Sequence, residues 1–332
     1  MSEWIKFEQI ASVIGEPMDT LVLFHRAPDA DAVGSAFALR QLLEELGSRA
    51  YCVCAGEVPA RLRFLMHGMQ ESVLPESIPE DFEVGRVVSV DSASPAQLDR
   101  LYALFGDRID LMIDHHAGGE QYASLCYIRS DAAATGEILF DLAKQLATDG
   151  LVRITDALCI DLYAAISGDT GCFRFSNVTP ETHMRAAELL ASGIDSAEIN
   201  HLLYDSKSPE QLRAEAAGAS NLNLFANERI AVITFPYALK AALGLSDEHL
   251  ETLVDVARSV AGVEVAICIR QPSLEGKFRV STRSSSDYNV CELCRSFGGG
   301  GHAKAAGCTV NAPDIESAMQ AVVGAIDFFE GN

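Results

Sequence analysis

Three short apolar runs within the first 116 residues each stop at a residue that can bind a cation or move a proton. Thr20–Phe24 ends at His25, Val84–Val90 ends at Asp91, and Ile109–Ile113 ends at Asp114-His115-His116. Runs this short, β-branched and continuously apolar read as strands buried on both faces, as in a parallel sheet. Helical periodicity lies between and after them, at Val33–Leu46 (stopped by Gly47), Thr135–Ala147 and Thr155–Ser167, with a further strand at Arg49–Cys54. This rhythm predicts an α/β fold whose N-terminal sheet is mainly parallel and flanked by helices. In such sheets ligands sit beyond the carboxyl ends of the strands. The topology would therefore gather His25, Asp91 and the Asp-His-His segment, although they are remote in sequence.

The pattern changes after Asp195. Ser206–Asn227 reads as helical and connecting. Strands are then expected at Ile230–Phe235, Val263–Arg270, Lys277–Ser281 and Cys308–Val310, and helices at Asp247–Val260 and Asp314–Phe329, with a glycine turn at Gly298–Gly301. The expected division is a first domain over 1–195, a helical linker over 196–228, and a smaller α/β domain with a mixed sheet over 229–332. We find no internal repeat and no low-complexity tract.

Composition limits the partners. The 332 residues include 25 Lys and Arg against 47 Asp and Glu, a formal charge of −22. A chain that tracks long duplex DNA or lies on anionic membrane needs a broad basic footprint, and this balance does not supply one. At 48% hydrophobic residues the chain has enough apolar material for ordered cores. No signal-like segment opens the chain and no run of eighteen apolar residues follows. The nine Cys are an odd number and mostly lie in apolar runs, which suits reduced thiols in a cytoplasmic protein. Cys291-x-x-Cys294 lacks a second pair at zinc-ribbon spacing, so packing on one helix face is the expectation.

Five segments carry chemistry. The first is His25-Arg-Ala-Pro-Asp29-Ala-Asp31, followed by Gly34-Ser35. Alone, an Asp-x-Asp is more often a turn or helix cap. Here an imidazole ends a strand beside it, Pro28 fixes the loop, and the donor set suits a borderline cation such as Mn²⁺. The second is Asp91, which could equally be a strand-end cap. The third is Asp114-His115-His116, where adjacent imidazoles project differently and the acid can orient one of them. The fourth is Gly168-Asp169-Thr170-Gly171, read alone as a plain helix end. The fifth is the glycine run Gly298–Gly301 with His302, Lys304 and Ala305-Ala306-Gly307, where backbone amides can approach an anion and a following helix start would add its dipole. His67, His183, His201 and His249 are expected at the surface or as caps, Trp4 at the sheet edge, and Glu137 as a capping or dipole residue.

Taken in order, these segments resemble the DHH phosphoesterase superfamily, in the branch with a DHHA1 second domain. Asp114-His115-His116 is the name-giving motif, and Gly299-Gly300-Gly301-His302 with Ala305-Ala306-Gly307 marks the second domain. At this length the chain is most similar to the nanoRNase/pAp-phosphatase group, short relatives of the RecJ exonucleases. The resemblance implies two Mn²⁺, with Mg²⁺ or Co²⁺ as substitutes. One would be held by His25, Asp29 and Asp91, the other by Asp31, Asp91, His115 and Asp169. It further implies that His116 faces the scissile phosphate, that Asp114 orients the histidines, and that Arg283, Ser284, Gly300, Gly301 and His302 bind substrate. The implied substrates are short oligonucleotides or nucleotide phosphates such as pAp. A soluble cyclic-dinucleotide or pApA phosphodiesterase would use the same site. A manganese pyrophosphatase, a RecJ-type nuclease and a non-catalytic nucleotide-binding module fit less well. A homodimer is one arrangement open to such a chain.

Overall fold

The computed structural model describes residues 2–326. It divides into two compact units between Ser206 and Lys207. The first holds six strands: β1 (Glu3–Trp4), β2 (Thr20–Phe24), β3 (Ala50–Cys54), β4 (Arg86–Val90), β5 (Leu111–Asp114) and β6 (Leu125–Ile128). Their order across the sheet is β1-β6-β5-β4-β2-β3, and every pairing is parallel. The pleat sends alternate side chains to opposite faces. Val22, Phe24, Val88, Val90 and Ile113 join a core with helices Ala30–Glu45, Thr135–Thr148 and Asp156–Asp169. Leu21, Leu23, Val87 and Met112 pack the other way, with Leu98 and Leu101 from the short helices Pro95–Leu98 and Arg100–Phe105. Both faces are covered, which is why these strands read as unbroken apolar runs.

The sheet order creates a switch point. Strand β2 lies between β3 and β4, so the connections leaving β2 and β4 run in opposite directions and over opposite faces. In sheets of this kind ligands sit where such connections part, at the carboxyl ends of the strands. His25 and Asp91 follow those two strands directly. Helices Ala30–Glu45 and Asp156–Asp169 cross closely above the sheet. Gly34 permits this approach, since a Cβ there would stand 2.5 Å from the Asp161 carbonyl oxygen.

The second unit has its own mixed sheet, ordered β11-β12-β10-β9-β8-β7. Its strands are β7 (Leu222–Phe225), β8 (Ile230–Phe235), β9 (Val265–Arg270), β10 (Lys277–Ser284), β11 (Gly300–His302) and β12 (Ala305–Asn311). Only β8 and β9 pair in parallel. One face packs helices Val290–Ser296 and Ile315–Gly324, and the other packs Leu253–Arg258 and Pro209–Ser220.

Several local expectations differ from what forms. Residues 196–228 are shared between the units: helix Ser196–Asn200 packs in the first, while helix Pro209–Ser220 and β7 belong to the second. Strand β7 lies inside the run read as helical. The Asp247–Val260 segment breaks into a short 3₁₀ turn, Glu248–Leu250, and helix Leu253–Arg258. The glycine run leads from the C-terminal end of helix Val290–Ser296, whose Arg295 and Cys294 carbonyl oxygens accept the Gly298 and Gly299 N–H groups, into an edge strand and not into a helix start, and Lys304 sits in the hairpin between β11 and β12. The final helix is described as Ile315–Gly324, and its expected end at Phe329 lies outside the described residues. Among the described residues no helix is long and apolar enough to cross a membrane.

Candidate metal centre

Each strand end delivers its side chain to one point. His25 Nε2 lies 3.8 Å from Asp29 Oδ1 and 3.7 Å from Asp91 Oδ2. His115 Nε2 lies 3.7 Å from Asp91 Oδ1, 3.8 Å from Asp31 Oδ2 and 3.1 Å from Asp169 Oδ2. Three groups of ligand-type atoms have all members within 4.8 Å of one another: His25, Asp29 and Asp91; Asp31, His115 and Asp169; and Asp91, Asp114, His115 and His116. The fold thus brings together all eight residues proposed for this centre. Asp91 belongs to two of the groups. It adopts the left-handed conformation, φ 48°, that lets the chain turn off β4 with its carboxylate aimed back over the sheet.

The local roles are mixed. Asp29 is also the N-cap of helix Ala30–Glu45, its Oδ1 accepting the Ala32 N–H at 3.0 Å, so a capping role and a place in the cluster coincide. Asp31 is fully buried. Its oxygens accept N–H bonds from Thr135 (2.7 Å) and Gly136 (2.9 Å) and the Ser35 hydroxyl (2.9 Å). The Thr135 hydroxyl donates to Asp91 Oδ1 at 3.0 Å. His115 Nδ1 is 3.2 Å from the Ala132 carbonyl oxygen; donating there keeps Nε2 as the atom that faces the carboxylates and would give up its proton to take an ion. Asp114 Oδ1 accepts from the His115 N–H at 2.8 Å and lies 2.6 Å from His116 Nδ1.

Sequence reasoning did not single out Thr135, Gly136 or the Ala132 carbonyl. One signal was available. Helix Thr135–Thr148 begins after Ala134, which has no side-chain oxygen to cap it. Its first N–H groups need an acceptor from elsewhere, and Asp31 supplies one.

The electrostatics of this centre are unbalanced without a cation. Burial pushes Asp31 well above the usual carboxylate range, and the charges of Asp91 and Asp169 push the same way. Burial and the Asp29 charge raise Asp91 to about 8. Burial lowers the histidines, but the acids override it: Asp29 with Asp91 raises His25 to about 9, and Asp169 with Asp31 raises His115 to about 11. Asp29 goes the other way, since His25 and the Ala32 N–H outweigh burial and hold it low. Acids crowded in this way hold protons unless positive charge is supplied. The nitrogen and oxygen donors and their mutual spacing of 3.1–3.8 Å fit ions ligated at about 2.0–2.2 Å, so the cluster can hold metal ions.

In the second unit Arg283 and His302 fall in one row of the sheet, whereas Ser284, the next residue along β10, points to the opposite face. Arg283 pairs with Ala305 across β10 and β12, and Ala305 pairs with His302 across β12 and β11. Residues in one row share a face, and two strand spacings separate Arg283 and His302 by about 10 Å, with only a methyl between. Arg283 donates to its neighbour, the Thr282 carbonyl oxygen, at 3.0 Å, and burial lowers its pKa. The Ser284 hydroxyl donates to the Ser286 carbonyl oxygen at 2.9 Å, which the Lys304 ammonium also meets. Gly301 has φ 137°, and a Cβ there would meet the Ala305 carbonyl oxygen at 2.6 Å. Its own carbonyl accepts the Cys291 thiol at 2.9 Å, so Cys291 is a packed, hydrogen-bonded residue.

Of the remaining histidines, His249 caps a turn by accepting the Ser246 N–H, as expected. His67 stands at the C-cap of the 3₁₀ turn Ala60–Met66, a capping position as expected, and its Nε2 also lies 2.8 Å from Asp161, a fully buried acid. Trp4 is exposed on edge strand β1, and Glu137 accepts the Ala133 N–H at its own helix start.

Comparison with known proteins agrees with this geometry. Residues 19–166 match the family model "DHH family, N-terminal domain", and residues 231–327 match "DHHA1 domain". The chain is similar to the bifunctional oligoribonuclease and PAP phosphatase NrnA of Thermus thermophilus, with 29% identity over 97% of this chain and 94% of that one. It is also similar to the cyclic-di-AMP phosphodiesterase GdpP of Geobacillus thermodenitrificans, with 26% identity over 97% of this chain and 49% of that protein. An exopolyphosphatase-related protein from Bacteroides fragilis shares the fold, with a TM-score of 0.87 at 20% identity, covering 96% of this chain and 94% of that one. His25, Asp29, Asp31, Asp91, Asp114, His115 and His116 fall within the first matched segment, Asp169 lies just beyond it, and the glycine hairpin falls within the second; the chain carries a DHH family N-terminal domain followed by a DHHA1 domain.

Proposed function

We propose that this chain is a two-metal phosphoesterase acting on short phosphorylated nucleotides, releasing nucleoside 5′-monophosphates from short oligoribonucleotides and AMP from pAp. The observation that carries the reading is the place of Asp91, whose two oxygens face different histidines, His25 at 3.7 Å and His115 at 3.7 Å. One carboxylate shared in this way suits a pair of ions. His25, Asp29 and Asp91 would hold one, and Asp31, Asp91, His115 and Asp169 the other. Mn²⁺ fits this mixed nitrogen and oxygen set, with Mg²⁺ or Co²⁺ as substitutes. When bound, such ions supply an acidified water and offset charge on the phosphoryl oxygens.

The side chains supply the rest. His116, with Nδ1 held by Asp114, presents Nε2 to the scissile phosphate and moves a proton there. In the second unit, Arg283 and His302 would form a polar row with Gly300 and Gly301 beside it, suited to a terminal phosphate and nucleoside, and Ser284, on the other face of β10, would act through the backbone of the turn that follows. The charge of −22 supports short substrates over long polyanions, because cationic help is local rather than spread along a groove. Similarity to NrnA over nearly the whole of both chains supports this substrate class. Similarity to GdpP supports a second reading, a cyclic-di-AMP phosphodiesterase, which the same centre could serve.

The test is a panel with purified protein and Mn²⁺: pAp, a dinucleotide, a trinucleotide, a long single-stranded RNA, pApA, cyclic di-AMP and pyrophosphate. Hydrolysis of pAp or short RNA is expected, and loss of it in Asp91→Ala. Turnover of cyclic di-AMP alone would favour the second reading. Activity on none of them, or full activity in Asp91→Ala, overturns both.

A further inference from the structure

We propose that Thr135 is a positioning residue that locks the two halves of the centre to one another. This rests on the two-metal reading above. Thr135 is fully buried and contributes from two directions. Its backbone N–H, with that of Gly136, holds both oxygens of Asp31 at 2.7 and 2.9 Å. Its hydroxyl holds Asp91 Oδ1 at 3.0 Å. Asp31 comes from the helix after β2 and Asp91 from the end of β4, and this one residue from a third element hydrogen-bonds both. The helix start around it carries no cap of its own, which aims two otherwise unspent N–H groups at Asp31.

The consequence is directional. A hydroxyl donating to Oδ1 fixes the rotation of the Asp91 carboxylate, and so decides which of its oxygens faces His25 and which faces His115. Gly136 has a separate reason to be small, since a Cβ there would stand 2.5 Å from Ala165 Cβ, so the helix start cannot shift to compensate. Without the hydroxyl, Asp91 can rotate, and the spacing between the two sets of ligands is no longer imposed. Residues behind a metal ligand commonly change ion affinity by about 10–100-fold when removed.

The experiment uses the full chain and titrates Mn²⁺ by calorimetry into wild type, Thr135→Val, Thr135→Ala and Thr135→Ser, with apo-protein melting temperatures beside it. Valine keeps the shape and all the backbone N–H bonds and removes only the hydroxyl donor. Thr135→Val is expected to bind at least one Mn²⁺ about 10–100-fold more weakly, and Thr135→Ser to stay close to wild type. If Thr135→Val does not fold, Thr135→Ala is read in its place. Wild-type Mn²⁺ binding in the hydroxyl-free variant overturns the proposal. So does a serine variant as impaired as the valine one, because the methyl would then be the reason. Weakened binding in a protein that hydrolyses none of the panel sinks the proposed function and leaves this inference standing. Full hydrolysis by wild type with unchanged binding in Thr135→Val does the reverse.

Discussion

His116 Nδ1 and Asp114 Oδ1 are 2.6 Å apart, and the same carboxylate oxygen takes the His115 backbone N–H at 2.8 Å. One acid therefore fixes both the backbone of the histidine pair and the ring of the second histidine. With Nδ1–H donating to Asp114, the His116 lone pair sits on Nε2. His116→Ala should lower kcat by about 10²–10⁴-fold, the usual range for a positioned acid or base, and change Mn²⁺ affinity far less. Asp114→Asn should also lower kcat, and the double variant should lose little beyond His116→Ala alone. Steady-state kinetics on pAp or a dinucleotide check this; additive losses would contradict it.

Metal uptake should release protons. Asp91 at about 8, His25 at about 9 and His115 at about 11 carry protons at neutral pH when no cation is present. A cation competes with those protons, so affinity rises with pH through pH 8. Titrations of Mn²⁺ in two buffers of different ionisation enthalpy should show net proton release, and affinity that rises between pH 6 and pH 8. A flat profile would contradict the crowding of these acids.

A second buried acid lies away from the centre. Asp161 is fully buried, faces His67 at 2.8 Å, and accepts from Gln41 at 2.7 Å. Burial raises it from 3.8 to about 7, against the lowering pull of His67 and Gln41. Between those values the native state binds more protons than the unfolded chain, so stability falls as pH rises through this window. His67, raised by Asp161 despite burial, loses its contribution in the same direction above its unfolded value of 6.5. The stability of wild type relative to Asp161→Asn should fall by on the order of 2 kcal/mol between pH 5 and pH 7. Denaturant melts of both proteins at each pH, with chelator present, measure this; a gap that widens with pH would be the wrong sign.

Arg283 and His302 share one row of the second sheet through Ala305. If they grip the phosphate or base of a substrate without touching the reacting atoms, their loss acts on binding. Arg283→Ala and His302→Ala should raise KM for pAp by about tenfold or more, the scale of a hydrogen bond to a charged group, and leave kcat and Mn²⁺ affinity within a few-fold. Collapse of kcat with unchanged KM would move these residues into the chemistry.

The strand ends were legible because their causes are local: an apolar β-branched run, then a polar residue that cannot continue it. The same logic marked His25, Asp91 and Asp114-His115-His116, and the sheet order did the rest. Strand β6 (Leu125–Ile128) was missed because four mixed residues carry no period. Strand β7 (Leu222–Phe225) was hidden by the alanine-rich helix before it, and its β character comes from pairing with β8. The glycine run was read as a turn before a helix, yet Gly299 is glycine because the Gly307 carbonyl oxygen would stand 2.2 Å from a Cβ. Thr135 was passed over because its partners, Asp31 and Asp91, are distant in sequence and nothing in its neighbourhood names them. His67 shows the same limit, since Asp161 completes it from another helix.

The switch point between β2 and β4 also sets an order of events during synthesis. Its acids emerge from the ribosome first, with Asp31 and Asp91 made before the helix start that receives them. Thr135 and Gly136 arrive next, and Asp169 last. A nascent chain stopped before Thr135 would hold Asp29, Asp31, Asp91 and His115 without the groups that fix Asp31 and Asp91 and without Asp169, so the ligand set is complete only after helix Asp156–Asp169 has been made.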